Sequence, residues 1–262
     1  MIKIETQGNE ELSDKMLRLK IQELAEVVRI KWSKRGLFDI FEILENECML
    51  LRYPLETKEI SGFTTYLDEN FIVFLNSSFT LGHERFSGAH ELGHLTLHND
   101  QLIKMNLLDD NEINEKEATI FAVEFLMPEI GIKEIFYKII GVKPIYVNYR
   151  HIIIMHQYFK VSYKAMLKRL VFLGLCDVSL YSNLVDYCSL ENKDNLLTLT
   201  RKEGLECDLI KPSNLKYISK EYEEKIRSNY ETGKISFGKL EALLEFLGKK
   251  PSDYLYEVSE ND

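Results

Sequence analysis

The residues with the clearest chemical potential are His90, Glu91 and His94, which form a His-Glu-x-x-His pattern. Residues four apart share one face of a helix, so the two imidazoles can bind a single zinc ion. Glu91 lies about 100° further round the helix, where its carboxylate can reach a water molecule on the metal. Zinc held by three protein ligands keeps a fourth position for that water and lowers its pKa. Glu91 would then act as general base and pass the proton to a leaving amine.

A third zinc ligand must come from outside this helix. His98 lies one turn beyond His94, about 6 Å further along the axis, so one ion cannot bind three histidines of one straight helix. We expect His98 to stabilise the helix C-terminus through the dipole and the free carbonyls, with substrate contact as the alternative. Glu117 and Glu124 of the next predicted helix are seven residues apart and share a face, whereas Glu115 lies elsewhere. The candidate carboxylates are Glu112, Glu115, Glu117 and Glu124.

Hydrophobic periodicity predicts the elements that would position these residues. Apolar residues that recur every three or four positions indicate helices, and β-rich runs around a short polar turn indicate a hairpin. The strand over 71–75, directly before the zinc-binding helix, is the expected sheet edge to which a substrate strand would pair. The predicted order is a helix over 10–34, a helix over 37–45, a strand over 48–53, a hairpin of 61–67 and 71–75, a helix ending at about His98, and a helix over 114–127.

The second half of the chain is predicted to be mainly helical, and residues 148–173 resemble a helix-turn-helix in which Ser162 caps the second helix. Binding to DNA phosphates would use Lys160, Lys164, Lys168 and Arg169. The alternative is a plain amphipathic packing helix, or a basic face that docks on an acidic surface. The predicted helices lie near 129–140, 148–158, 162–173, 218–233 and 236–248.

Composition excludes several classes of protein. The 262 residues are 45% hydrophobic and 29% charged, with a net charge of −9, which argues against a general nucleic-acid binder. No apolar run approaches the ~18 residues of a membrane helix, and no signal peptide is recognisable. The four cysteines are spread out, which favours a reduced, cytoplasmic protein. Residues 84–130 hold ten acidic and three basic residues, whereas 141–175 hold six basic residues and no acid.

Two longer motifs resemble the ImmA/IrrE family of metallopeptidases. Residues 85–98 are similar to the active-site helix of that family. Residues 115–128 are similar to its second motif, in which a ligand glutamate precedes alanine and is followed by Phe-Ala and a closing Leu-Met-Pro. Weaker similarities extend the resemblance over residues 37–175, and the two motifs together are more specific than either alone.

The resemblance implies a zinc peptidase with a zincin-like fold, in which His90, His94 and Glu117 bind the metal and Glu91 is the base. It also implies a helix-turn-helix transcriptional repressor as the protein substrate, because ImmA/IrrE peptidases are linked to such repressors. One position departs from the pattern, since Phe121 stands where related zinc peptidases have an acid that orients a histidine. The partners of the histidines' second nitrogens are therefore not identified by the sequence.

Together these observations predict an α+β fold: a zincin-like metallopeptidase core with a small sheet against the active-site helix, followed by a mostly helical half with a helix-turn-helix-like segment. We expect a cytoplasmic, zinc-dependent endopeptidase that cuts one cognate repressor and thereby relieves repression. The alternatives are a zinc-containing regulator that sequesters a repressor without cutting it, and a DNA-binding regulator with structural zinc. The predicted segments are an N-terminal helix (1–36), the peptidase core (37–140), the helix-turn-helix-like segment (141–175) and a mostly helical C-terminal region (176–262).

Overall fold

The computed structural model describes residues 2–36, 39–67, 69–106, 111–141, 147–189 and 192–256. Over these residues the chain forms twelve α-helices and one four-stranded sheet, which confirms the predicted α+β class with a mostly helical second half. No helix in these ranges has the length and apolar character needed to cross a membrane. The elements in chain order are α1 (Ile2–Ser33), α2 (Ile40–Glu47), β1 (Met49–Tyr53), β2 (Gly62–Leu67), β3 (Asn70–Asn76), α3 (Leu81–Leu97), α4 (Asn99–Met105), α5 (Glu112–Leu126), α6 (Glu129–Ile140), α7 (Tyr149–Tyr158), α8 (Tyr163–Phe172), α9 (Tyr181–Val185), α10 (Lys193–Lys202), β4 (Tyr217–Ile218), α11 (Lys220–Glu231) and α12 (Phe237–Phe246).

The four strands lie in the order β2-β3-β1-β4. β2 and β3 form the predicted antiparallel hairpin, with Thr64 opposite Val73. β1 pairs in parallel with the other side of β3, so that Leu50 also lies opposite Val73. The prediction that residues 71–75 form the sheet edge is therefore wrong, because both sides of β3 are hydrogen-bonded. The two edges are β2 and the short antiparallel strand β4.

Most of the predicted helices are confirmed within a few residues. α3 ends at Leu97, next to the predicted end at His98. Gly233 and Gly248, which follow α11 and α12, have φ angles of +70° and +68°, as expected of left-handed helix caps. The sequence does not predict α4, because this helix has only seven residues and directly follows α3. Residues 37, 38 and 68, at the predicted start of the second helix and in the hairpin turn, lie outside the described residues.

Three hydrophobic clusters fill the described interior. The first packs the sheet with α1, α2, α3 and α5, and includes the fully buried Phe121. Trp32 of α1 belongs to the same cluster and is only 1% exposed, so the N-terminal helix helps to support the helices of the candidate site. The second cluster joins α6 to α10 around residues such as Met166. The third lies between α11 and α12 and includes Leu240.

Buried arginine–carboxylate pairs fix the helices that carry the candidate site residues. Arg52 Nε on β1 lies 2.7 Å from Glu84 Oε1 near the start of α3. Arg169 on α8 makes two hydrogen bonds, of 2.9 and 2.6 Å, to the two carboxylate oxygens of Glu124 on α5. Removing one partner of a buried pair leaves an uncompensated charge, which costs about 3–5 kcal/mol. These pairs therefore anchor α3 to the sheet and α5 to the C-terminal half.

A tight turn joins α7 to α8 in the segment that the sequence analysis compares with a helix-turn-helix. Ser162 caps α8 by accepting a 3.2 Å hydrogen bond from a backbone amide three residues later. Lys160, which stands in place of the usual glycine, adopts a φ angle of +52°. Such a positive φ is uncommon for a residue with a side chain, so this lysine holds a conformation that glycine would adopt more easily.

The basic side chains of this segment divide into two groups. Lys160, Lys164 and Lys168 are exposed. Arg169, which the sequence analysis grouped with them as a phosphate contact, is instead 3% exposed and held by Glu124. Its guanidinium is committed to a carboxylate inside the protein, so Arg169 has to be removed from the proposed DNA-contacting set.

Candidate metal centre

α3 and α5 lie side by side because small residues let their backbones approach. A Cβ atom added to Gly93 would lie 3.1 Å from both the Cα atom and the carbonyl oxygen of Ala118, tighter than nearly all real contacts of this kind. Both residues are buried between the two helices. This close contact brings the face of α3 that carries His90 and His94 against the N-terminal half of α5.

Three metal-ligating side chains converge between these helices. The Nε2 atoms of His90 and His94 are 3.0 Å apart. One carboxylate oxygen of Glu115 lies 3.0 Å from His90 Nε2, and the other lies 3.1 Å from His94 Nε2. Among the residues that the structure describes, these three form the one cluster of histidine, cysteine and acidic side chains that could share a metal ion.

The cluster fits a tetrahedral metal such as zinc. Two nitrogens bound to one zinc ion lie about 3.3 Å apart when each Zn–N bond is about 2.0–2.1 Å, and the observed separation of 3.0 Å is close to that value. Burial, together with the neighbouring rings of His90 and His98, lowers the pKa of His94 to about 3. Burial also lowers the pKa of His90. Both imidazoles are therefore neutral at pH 7, which is the form that binds metal.

Glu91 lines the same cleft without belonging to the three-residue cluster. Its side chain is 5% exposed, and its Oε2 atom accepts a 2.7 Å hydrogen bond from Thr64 Oγ1 on the edge strand β2. Burial raises the pKa of the Glu91 carboxyl to about 8, while the hydrogen bond from Thr64 acts in the opposite direction. A cation held by the neighbouring cluster would lower this pKa, because opposite charge favours the carboxylate form.

The edge strand approaches Glu91 closely because residue 62 is glycine. A Cβ atom at Gly62 would lie 3.1 Å from Glu91 Oε1 and 3.0 Å from the backbone oxygen of Phe74. Either contact would force a shift of β2 or of the carboxylate. Glycine thus allows the backbone of an edge strand, which can pair with a further strand, to lie directly beside Glu91.

Glu117, the ligand implied by the family resemblance, is not in contact with the paired histidines. Its Oε2 atom lies 3.0 Å from Nε2 of His98, a buried residue whose Nδ1 lies 3.0 Å from Nδ1 of His94. Residues two apart on a helix point about 200° away from each other, so only one of Glu115 and Glu117 can face both histidines. The structure places Glu115 beside both histidines and Glu117 beside His98.

The contacts of Glu117 and His98 define which nitrogen of His94 carries a proton. A carboxylate only accepts, so His98 Nε2 donates to Glu117, and a His98 ring that carries one proton accepts at Nδ1. His94 therefore donates from its own Nδ1 and keeps the lone pair of Nε2, which faces Glu115. Outer partners of this kind fix the tautomer and orientation of metal-binding histidines.

His90 has a different outer partner. Its Nδ1 lies 3.3 Å from Oγ1 of Thr119. Thr119 follows Glu115 by four residues, the spacing at which the sequence analysis sought a group that orients a histidine. Phe121, which follows Glu117 by four residues, is instead fully buried in the first hydrophobic cluster. Counted from Glu115, the position of the expected acid is occupied by Thr119, whose hydroxyl instead of a carboxylate contacts the histidine.

The other two candidate carboxylates of α5 lie apart from the cluster. Glu124 is nine residues beyond Glu115, about 13 Å along the helix axis, and both of its oxygens bind Arg169. Glu112 is exposed in the first turn of α5. Neither contacts His90 or His94, so the secondary site role considered for Glu124 has no support from its position.

The cluster and Glu91 lie in an open cleft of about 750 Å³. Glu59, Glu91 and Glu115 line this cleft, and its described lining contains no lysine or arginine. His83 also lines it, with its ring stacked on Phe79 at a centroid distance of 4.4 Å. Sequence reasoning missed His83, because it lies outside the His-Glu-x-x-His pattern and only the packing of α3 brings it to the cleft.

The protein family described as the IrrE N-terminal-like domain, Peptidase_M78, matches residues 47–171. The matched segment contains the cleft residues from β2 to α5. This match supports an assignment of the segment to the ImmA/IrrE family. The match begins just before β1 and ends within α8, so α1 and the C-terminal region lie outside it.

The similarity of this chain to solved structures is weak. A Mycobacterium tuberculosis transcriptional regulator aligns with 57% of this chain and 47% of its own, at 14% identity and a TM-score of 0.40. The chain thus spans about half the length of that protein, and similarity at this level supports no conclusion about fold or function. No curated protein sequence matches the chain.

The outer contacts of the candidate metal centre lead to a first prediction. His98→Ala is expected to lower zinc affinity by about 10–100-fold, the usual effect of removing a group that orients a metal-binding histidine. Glu117→Gln is expected to lower it less, because an amide oxygen still accepts from His98. Competition with a chelating dye measures both affinities. Nitrogen-15 NMR of the imidazoles should show His94 protonated at Nδ1 in the parent chain, and unchanged affinity and tautomer in His98→Ala would contradict the arrangement.

Proposed function

We propose that this protein is a zinc-dependent endopeptidase. The observation that carries the proposal is the convergence of His90, His94 and Glu115 within 3.0–3.1 Å of one another beside the buried carboxylate of Glu91. A closed structural zinc site would have four protein ligands, whereas three ligands in an open cleft are typical of catalytic zinc. Membership of a metallopeptidase family supports the same conclusion.

In this proposal His90, His94 and Glu115 hold the zinc ion, and Glu91 acts as the general base. Bound zinc supplies Lewis acidity, which lowers the pKa of water and polarises a peptide carbonyl. Thr64 occupies Oε2 of Glu91, so Oε1 is the atom left to accept the proton and to deliver it to the leaving amine. Thr64 also fixes the carboxylate, which improves its alignment with the bond that is cut.

The proposed substrate is a protein strand that adds to β2. The sheet edge at Gly62, Phe63 and Thr64 lines the same cleft as Glu91, and an extended peptide can pair with such an edge through main-chain hydrogen bonds. This assignment replaces the strand over 71–75, whose two sides are already paired. An edge strand binds main chain of many sequences, so specificity has to come from side-chain contacts elsewhere.

We infer further that the substrate is a cytoplasmic helix-turn-helix repressor, cut at one site and thereby inactivated. The support is electrostatic. Three carboxylates and no lysine or arginine are found in the described lining of the cleft, and DNA-binding repressors are basic on at least one face. Opposite charge increases the rate of encounter, and the effect weakens as salt shortens the screening length of about 8–10 Å.

Co-incubation of the zinc-loaded chain with repressors encoded by neighbouring genes tests this function. We expect one cleavage site by mass spectrometry, slower cleavage as salt rises, no cleavage after chelation, and little digestion of casein. Efficient casein digestion would indicate a housekeeping protease instead. Stable binding of a repressor that needs neither zinc nor cleavage would favour the sequestering regulator.

A further inference from the structure

A second cavity opens beside the candidate metal centre. Its volume is about 540 Å³, and His83 and Phe86 line both this cavity and the cleft of the metal cluster. Thr119, which contacts His90, also lines it. A chain lying in the cleft therefore needs only a short extension past His83 and Phe86 to reach the second cavity.

The charge of the second cavity is opposite to that of the cleft. Arg18, Lys164, Lys168 and Arg169 line it, and its described lining contains no carboxylate. Glu124 lies behind the wall, where it neutralises Arg169 and lies 3.4 Å from Arg18. No carboxylate among the described residues pairs with Lys164 or Lys168, which are exposed on α8.

The two lysines are four residues apart and so project from one face of α8. Like charges at this spacing repel each other, which makes the bare pair unfavourable by a small amount. An anionic group placed between them would remove the repulsion and gain two ion pairs. The cavity also has an apolar wall, in which Phe172 is 58% exposed beneath the guanidinium of Arg18 at 4.5 Å.

We propose that this cavity binds an acidic side chain of the protein substrate, with an apolar neighbour against Phe172, close to the bond that is cut. The occupant follows from charge complementarity and from the continuity of the cavity with the peptide cleft. The proposal rests on the proposed peptidase function. It adds a preference for an acidic side chain, which main-chain pairing with an edge strand does not provide. It assigns Lys164 and Lys168 to peptide recognition instead of DNA binding.

Cleavage of fluorescence-quenched peptides of twelve residues tests the proposal. The peptides form sets of three that differ at one position, which is Glu, Gln or Lys, and each position is varied in turn. The zinc-loaded chain should cleave peptides with Glu at one or two positions on one side of the cut about fivefold faster than those with Gln, since ion pairs with exposed lysines are weak. The double variant Lys164→Glu with Lys168→Glu should instead cleave the peptides with Lys at these positions fastest. The same charge change at Lys220 and Lys239, which are exposed on the C-terminal helices and line neither cavity, should leave it unchanged.

Binding of the same peptides to zinc-loaded Glu91→Gln, measured by fluorescence anisotropy, separates this proposal from the proposed activity. Preferential binding of Glu peptides without cleavage by the parent chain would refute the peptidase and leave the acidic subsite standing. A preference that survives the charge reversal, or no preference in either assay, would overturn the subsite. The double variant Lys164→Glu with Lys168→Glu could instead lose binding to duplex DNA and keep the peptide selectivity. That result would assign the cavity wall to nucleic-acid binding.

Discussion

Glu91→Gln is expected to abolish peptide hydrolysis while zinc stays bound. The side chain is outside the metal-binding cluster, so the amide leaves the ligands intact. An amide cannot accept the proton, and general base catalysis contributes about 10²–10⁴-fold, so activity should fall below about 1% of the parent value. The amide can still bond to Thr64 Oγ1, which keeps the local packing. Metal content by mass spectrometry and cleavage rate are measured on the same preparation.

Glu59→Gln is the matched control, because Glu59 lines the same cleft and carries the same charge. It should retain most of the activity and all of the zinc, apart from a small loss of encounter rate at low salt. Thr64→Val should give an intermediate loss of activity, since it removes one hydrogen bond from the base but leaves the base in place. Zinc loss in Glu91→Gln, or full activity, would remove Glu91 from its assigned role.

Glu115→Ala is expected to lower zinc affinity by more than about 100-fold, beyond the ~10–100-fold effect of an outer contact. It removes the one carboxylate that lies within 3.1 Å of both His90 and His94. Glu117→Ala removes only the partner of His98 and should cost less. Zinc titration of the two variants gives the ranking directly, and the order of the two affinities decides the third ligand.

Two further carboxylates of α5 serve as controls for that ranking. Glu112→Ala should change neither zinc affinity nor stability, because Glu112 is exposed and outside the cluster. Glu124→Ala should keep zinc affinity in the folded protein but lower the free energy of unfolding by about 3–5 kcal/mol, because Arg169 is left buried without its partner. A larger loss of zinc in Glu117→Ala than in Glu115→Ala would restore the assignment made from the family motif.

The limits of prediction from sequence are clearest in the sheet. Alternation and turn residues identify each strand and the β2–β3 hairpin, since these are local signals. They do not say whether β1 pairs with β3 or with β2, because strand order depends on contacts between residues that are distant in sequence. For that reason the edge strand was assigned to β3 and not to β2.

In the candidate site, too, features that depend on one helix are predictable from the sequence, and features that depend on the packing of two helices are not. His90 and His94 are brought together by helix periodicity alone, which the sequence reveals. The choice between Glu115 and Glu117 depends on the rotation of α5 about its axis, and that rotation is set by the contact of Gly93 with Ala118. Glycine and alanine give no chemical signal of this kind in a sequence. Sequence spacing therefore left several carboxylates of α5 open and the family resemblance selected Glu117, whereas the structure places Glu115 beside the two histidines.

The spacing of the cluster along the chain has a consequence for how the protein folds. His90 and Glu115 are separated by only 25 residues, so the pairing of α3 with α5 closes a short loop at low entropic cost. The contact of α1 with α5, as in the ion pair of Asp14 and Lys116, spans about 100 residues, and the pairing of β4 with β1 spans still more. Contacts that are close in sequence form faster than distant ones. The metal pocket is therefore expected to assemble early, with the N-terminal helix and the fourth strand added around a centre that already exists.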